Sequence, residues 1–366
     1  MLDTFSKLSA VLKVNAAAVN IDTFVFKLHY RFTFCLLLGC TILVTLRQYF
    51  GDHINCYQSF GSIPVEWINT YCFTSTTFTV PRLMQAAEED RPLYGLGPYT
   101  KDDDVTHHAY YQWVPFVLLG QALMFYAPHY LWKILENNKI GSIIQGMNVF
   151  TLLEQEKDGA AKEDLLADYI WRNLHRHNGW ALRFFICRML NAVNVIGQIF
   201  LTDAFLGGEF LRYGVDVMGL LEQEPESRVD PMARVFPRLT KCVYPSYGPS
   251  GTLQRKDALC ILALNIINEK VYTLLWFWWL FLSVVTIVEL VVAGTIVLLP
   301  PLRVVSLRAK LSGSSKKDAG RLMQYCSIGD WLLLDFLGGN MDATRFSAVV
   351  AKILQLAPLQ PGTNVC

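Results

Sequence analysis

Four stretches of this chain stay apolar long enough to cross a bilayer, with polar segments between them. A helix needs about 20 mostly apolar residues for that crossing. The stretches cover 28–47, 112–132, 180–206 and 271–300. The last is the strongest, with Glu289 as its only charged residue. At roughly 1.5 Å per residue it reaches about 45 Å, so it tilts or protrudes. The third is interrupted by Arg183, Arg188 and Asp203. Arg188, Asn191, Asn194, Gln198 and Thr202 nevertheless recur at steps of three and four, which gathers them on one helical face. A helix of that kind can span if its stripe meets protein or water rather than lipid.

Charge orients the four spans. Lys and Arg number 4 in residues 1–31, 6 in 133–179 and 8 in 301–366, whereas 48–111 has 3 against 8 acidic residues. Cytoplasmic loops carry the excess of basic residues. The pattern predicts a cytoplasmic N-terminal segment (1–27), an outer loop (48–111), an inner loop (133–179), a second outer loop (207–270) and a cytoplasmic C-terminal region (301–366). The second outer loop has 8 basic and 8 acidic residues and, at over 60 residues, weighs little in this tally. No signal peptide is expected, because the first long apolar run starts near Phe32, after Lys7, Lys13, Lys27 and Arg31.

Composition agrees. Of 366 residues, 52% are hydrophobic and 17% charged, and mean hydropathy is +0.29. Soluble domains carry about a quarter charged residues. A net charge of +1 without a basic tract predicts no nucleic-acid partner. No phosphate loop, His-Glu-x-x-His or Ser/His/Asp set stands in a usable setting, so the chain reads as no enzyme, with no cofactor and no metal centre.

Smaller features refine the picture. The two outer loops hold two cysteines each, Cys56 and Cys72, then Cys242 and Cys260. An oxidising exterior makes all four disulfide candidates, in any of three connectivities. Their spacing lacks the close pairs that zinc sites favour. Cys35, Cys40, Cys187, Cys326 and Cys366 lie elsewhere and are expected to stay reduced. Pro128 lies deep in the second span, where it is expected to kink or end the helix. Trp113, Trp132, Trp276, Trp278 and Trp279 lie near span ends, as an interfacial belt or as helix packing. Glu289 is expected to pair inside the bundle, with Arg188 as one partner. Glu88–Asp90 and Asp102–Asp104 form an acidic run that reads as a solvated surface, with His107 and His108 beside it. Leu165, Leu166, Tyr169, Ile170 and Leu174 keep helical spacing in the inner loop, which predicts a cytoplasmic helical layer. His175 and His177 there read as a solvated basic face.

Several motifs, in order, resemble one known family. Tyr110-Tyr111-Gln112-Trp113-Val114 matches the YYQWV signature that opens the second span of innexins. RQYFGDHINC (Arg47–Cys56), STTFTVP (Ser75–Pro81), DPMARVFPRLTKC (Asp230–Cys242), YGPSG (Tyr247–Gly251), LNIINEKVYTLLWFW (Leu264–Trp278) and GDWLLLDFLGGN (Gly329–Asn340) are similar to further innexin segments. The resemblance implies an all-α membrane protein, a four-transmembrane-helix protomer with disulfide-bonded extracellular loops that assembles into a ring around a central pore. It implies a plasma-membrane gap junction subunit in a homo- or hetero-oligomer, a hexamer or octamer, set in membrane lipid and able to dock with a hemichannel on the opposed cell. Ions and small solutes would pass between cells or, through an undocked hemichannel, across the plasma membrane. The family pairs its cysteines between the loops, which suggests Cys56–Cys260 and Cys72–Cys242. Its N-terminal segment folds into the pore mouth, which would set Leu2, Asp3, Phe5 and Lys7 at the constriction and make Asp3 a ring of carboxylates. Innexin-like subunits also occur in insect-associated viruses, and the short stretch after residue 350 is compatible with either origin.

Overall fold

A computed structural model describes residues 19–59, 63–84, 95–100, 102–144, 156–219 and 231–357. Helices dominate, and four of them are long and apolar enough to cross a membrane: α1 (Phe24–Phe50), α3 (Val114–Glu136), α6 (Asn178–Phe205) and α9 (Ala263–Leu298). The hydroxyls of Thr41 and Thr286 bond back to the preceding turn, to Leu37 O and Leu282 O, so these two polar groups are paired within their own helices. Pro128 does not end α3, which continues to Glu136. A π-helical stretch, Leu28–Thr33, interrupts α1. The Thr33 hydroxyl donates to Leu28 O at 2.9 Å, a step of five that matches the wider turn.

The chain divides into two compact units. The first comprises residues 28–127 and 191–286. Beside its helical segments, among them α7 (Phe210–Gly219) and α8 (Pro231–Val235), it contains a five-stranded antiparallel sheet in the order β1-β5-β4-β2-β3, built from β1 (Asn55–Tyr57), β2 (Thr77–Thr79), β3 (Thr106–His108), β4 (Leu239–Tyr247) and β5 (Leu253–Ile261). Strands from the two long loops thus interleave, β5 and β4 lying between β1 and β2. The long hairpin β4–β5 turns at Gly251, whose φ of +77° suits a residue without Cβ. Along β4, Thr240 and Cys242 alternate inward while their neighbours are more open, the period-2 signature of a half-covered strand. A helix, α2 (Val65–Ser75), packs on this sheet and contributes Ile68 and Cys72 to the core. The core continues through Leu37, Leu118, Phe125, Phe236, Tyr272 and Trp279. Trp132 and Trp279 are fully buried and serve packing, whereas Trp113 is exposed.

The second unit comprises residues 1–27, 128–190 and 287–366. It holds α4 (Lys139–Ile144), α5 (Glu156–Arg172), α10 (Pro300–Lys310), α11 (Asp318–Met323), α12 (Ile328–Asn340) and α13 (Ala343–Leu356). Helix α5 lies on α13, with Leu166 and Ile170 buried, Leu165 mostly exposed, and Lys352 paired to Glu163 and Asp164. Gly329 opens α12 against the backbone where α6 starts. A Cβ there would come within 2.3 Å of His177 C and 2.4 Å of Asn178 N. Backbone cannot yield as a side chain can, so Gly329→Ala is expected to destabilise this unit by about 1–3 kcal/mol. A thermal-shift measurement on the purified protein checks it, with Gly294→Ala, which meets nothing within 4 Å, as the reference.

Candidate functional site

Two disulfides clamp the sheet. Cys56 and Cys260 are register partners on β1 and β5 and are bonded to each other, with Cα atoms 4.0 Å apart. Cys72 of α2 is bonded to Cys242 of β4, with Cα atoms 5.8 Å apart. The Sγ atoms of Cys56, Cys72 and Cys260 lie within 4.8 Å of one another, so the two bridges sit side by side in one buried cluster. Both join the 48–111 segment to the 207–270 segment. Among the described residues, Cys35, Cys40, Cys187 and Cys326 are free thiols.

The Tyr110–Val114 motif lies beside this clamp. The Tyr111 hydroxyl and Gln112 Nε2 both donate to Phe73 O, the latter at 2.5 Å, which ties the end of α2 to the start of α3. The Tyr110 ring meets Phe236 edge-on at 5.7 Å, and burial raises its phenol above the ordinary range. Val114 is buried. These contacts give the motif a packing role. An ion pair that the sequence did not disclose stands nearby: Glu269, fully buried, accepts two bonds from Arg238 at 2.8 Å and one at 3.1 Å, and meets Lys270 at 2.7 Å. In the sequence Glu269 stands between Asn268 and Lys270, so no local signal marked it. On β3, His108 is buried against Thr79 Oγ1 at 2.8 Å. Burial lowers its pKa to about 4, so it stays neutral through the physiological range and is no sensor there. The acidic run beside it is partly structural: Asp103 holds Arg82 and the Thr100 N–H. Glu88–Asp90 lie outside the described residues.

The polar stripe of α6 is directed into protein. Gln121 Nε2 donates to Thr202 Oγ1 at 2.8 Å, and Gln198 Nε2 to Asn194 Oδ1 at 3.1 Å. In the other unit, the Arg188 guanidinium pairs with Glu289, which also accepts from Thr23 Oγ1 at 3.0 Å. The side chains of Arg188 and Glu289 are only 10% and 17% exposed. A charge left alone at such a site costs more than the pair returns. Glu289→Gln is therefore expected to cost about 3–5 kcal/mol, and Arg188→Met with Glu289→Met together to recover most of that loss. Surface expression and thermal stability of the single and double variants check both.

The chain that leads into α1 is anchored in the same unit. Asn20 N donates to Asn340 Oδ1 at 2.6 Å and Asn340 Nδ2 returns a bond to Asn20 O at 2.9 Å. Trp132 Nε1 donates to Ile21 O, and Asp22 meets His129 at 3.4 Å. Leu2, Asp3, Phe5 and Lys7 lie outside the described residues. His177 is buried rather than solvated, its Nδ1 2.8 Å from Asp330 Oδ1. Asp330 also accepts from His175 N, Ser327 N and Ser327 Oγ, which completes a capping box at the start of α12.

Nearly all of the chain matches a known family. The innexin family model covers residues 22–356. Innexin inx2 of Drosophila melanogaster is 43% identical over 355 residues, 96% of this chain and 95% of that protein. Innexin inx2 of Schistocerca americana is 43% identical over 96% of this chain and 97% of its own length. Innexin shaking-B of Drosophila melanogaster is 40% identical over 96% and 94%.

Proposed function

Because this chain belongs to the innexin family, whose members are gap junction channel subunits and not enzymes, we propose a specific assembly and orientation for it. The subunits form a hexameric or octameric ring in the plasma membrane, homomeric or with other innexins. Both termini and the 133–179 segment lie in the cytoplasm, and 48–111 with 207–270 lie outside. The observation that carries this reading is the disulfide clamp. It joins just those two segments, and disulfides persist in the oxidising exterior and not in the cytosol. The partition into units supports it, since one unit gathers residues of both clamped segments and the other gathers both termini with 133–179.

In the docked form, the exposed β4–β5 hairpin, tipped by Tyr247 and Leu253, meets its counterpart on the opposed cell. The N-terminal segment, anchored through Asn20, Asp22 and Thr23, enters the pore mouth. Leu2, Asp3, Phe5 and Lys7 then stand at the constriction, where a ring of Asp3 carboxylates favours cations. The spans 28–47, 112–132, 180–206 and 271–300 remain the membrane-crossing limits under this reading.

Paired-cell electrophysiology tests it. Cells expressing only this chain are expected to show junctional current, single cells to take up dye, and Asp3→Lys to shift permeation toward anions. Dye uptake without junctional current would overturn the docking part alone. Neither signal, with surface expression confirmed, would overturn the homomeric channel. Tags at either terminus are expected to be reached by antibody only after permeabilisation.

A further inference from the structure

A cavity of about 310 Å³ lies in the unit that holds the chain termini, at the lower end of the size range of small-molecule sites. Its walls come from four sources: the segment just before α1, the start of α6, the end of α9, and the helices α10 and α12 that follow it. Two ion pairs line it, Arg188–Glu289 and Lys310–Asp335, the latter at 2.7 Å. Each pair brings one charge of each sign. The remaining lining carboxylate, Asp22, faces His129. Trp331 and Phe336 also line it.

The other wall is apolar and continuous with an exposed strip. Val292 lines the cavity and is itself half exposed. Val288 and Val291, on the same face of α9 by helical spacing, are exposed as well. An exposed apolar strip on a membrane-crossing helix is a surface for acyl chains. A polar cavity with charges of both signs thus opens onto a path for lipid tails.

We propose that this cavity binds the headgroup of a zwitterionic phospholipid, with its tails running along Val292, Val291 and Val288. The phosphate lies on the Arg188 and Lys310 side. The ammonium lies among Glu289, Asp335 and the rings of Trp331 and Phe336, where carboxylate attraction and cation–π contact act together. Three lining carboxylates against two cations select against a headgroup of net negative charge, because either pair would have to release its partner to neutralise one. The site carries a functional consequence: Glu289 also accepts from Thr23, so the lipid touches the anchor of the N-terminal segment.

Native mass spectrometry of the purified oligomer tests the site without any conductance readout, so its result is independent of the channel reading. Delipidated protein is offered phosphatidylcholine, phosphatidylglycerol or inorganic phosphate. The wild type is expected to retain one phosphatidylcholine per subunit in preference to phosphatidylglycerol, and inorganic phosphate is expected not to displace it. Gly339→Leu fills the cavity mouth, where a Cβ would meet only Lys310 Nζ, at 3.9 Å. It is expected to weaken retention about tenfold while leaving oligomer size unchanged. Val292→Glu, at an exposed position on the tail path, is expected to do the same, and it decides the matter if Gly339→Leu fails to assemble. Equal retention by both variants, preference for phosphatidylglycerol, or displacement by inorganic phosphate would each overturn the proposal.

Discussion

Cys72→Ser is expected to abolish junctional current, with the variant held inside the cell. The bridge it removes closes an interval of 170 residues. In the chain-entropy account, a loop of that length constrains the unfolded state by about 5 kcal/mol, and losses on removing native bridges run at about 2–5 kcal/mol. A typical domain has only about 5–15 kcal/mol in total. The reciprocal variant Cys242→Ser leaves the Cys72 thiol buried within 4.8 Å of both sulfurs of the Cys56–Cys260 bridge, close enough to attack it. Cys242→Ser is therefore expected to be worse than Cys72→Ser with Cys242→Ala, which leaves no attacking thiol. Surface biotinylation and paired-cell current measure both. Junctional conductance of Cys72→Ser within twofold of the wild type would show that the clamp is dispensable.

Asp330→Ala is expected to cost about 3–5 kcal/mol, because it strands four donors at once in a buried site. The carboxylate is almost wholly buried and receives bonds from His177, His175 and twice from Ser327. Burial alone would raise its pKa. The bonds from His177, Ser327 and the His175 N–H outweigh that and hold it at about 2, below the ordinary 3.8. A folded-state pKa below the unfolded one favours folding where the group is ionised. This contribution, about 2 kcal/mol, is thus fully present above pH 4 and is lost as pH falls from 4 to 2. Asp330→Asn is expected to flatten the thermal-stability profile across that window. It has a second readout at Cys326, whose thiol is pushed up to about 12 by burial and then by the Asp330 charge. Neutralising residue 330 removes the second of those causes, so maleimide labelling of Cys326 is expected to speed up. An unchanged labelling rate with a normal fold would separate the two residues.

Hydrophobic length was enough to find the four long helices, and motif order was enough to find the family. The third span was readable because its polar residues repeat at helical steps, and Arg188, Asn191, Gln198 and Thr202 are all buried. What stayed hidden depends on partners distant in sequence. The β4 and β5 strands carry Lys241, Arg255, Lys256 and Asp257, too polar to stand out by periodicity, and they exist as strands because each satisfies the other's backbone. His177 reads as solvated in a segment rich in charge, and only Asp330, 153 residues later, buries it. Glu269 likewise needs Arg238, supplied by the strand side of the fold. Gly329 gives no local sign that a backbone passes within van der Waals reach of it.

The clamp also sets a timetable for biosynthesis. Cys56 and Cys260 are 204 residues apart, and translation at about 5–20 residues per second leaves Cys56 waiting about 10–40 s for its partner to be made. Cys72 waits nearly as long for Cys242, and throughout that interval Cys56 lies sixteen residues from Cys72, as it does from Cys40. β1 cannot find β5, nor β2 find β4, until nearly three-quarters of the chain has emerged. The nascent protein thus spends most of its synthesis with an unfinished sheet and a tempting wrong bridge, so the yield of working subunits rests on thiol–disulfide exchange that can undo it.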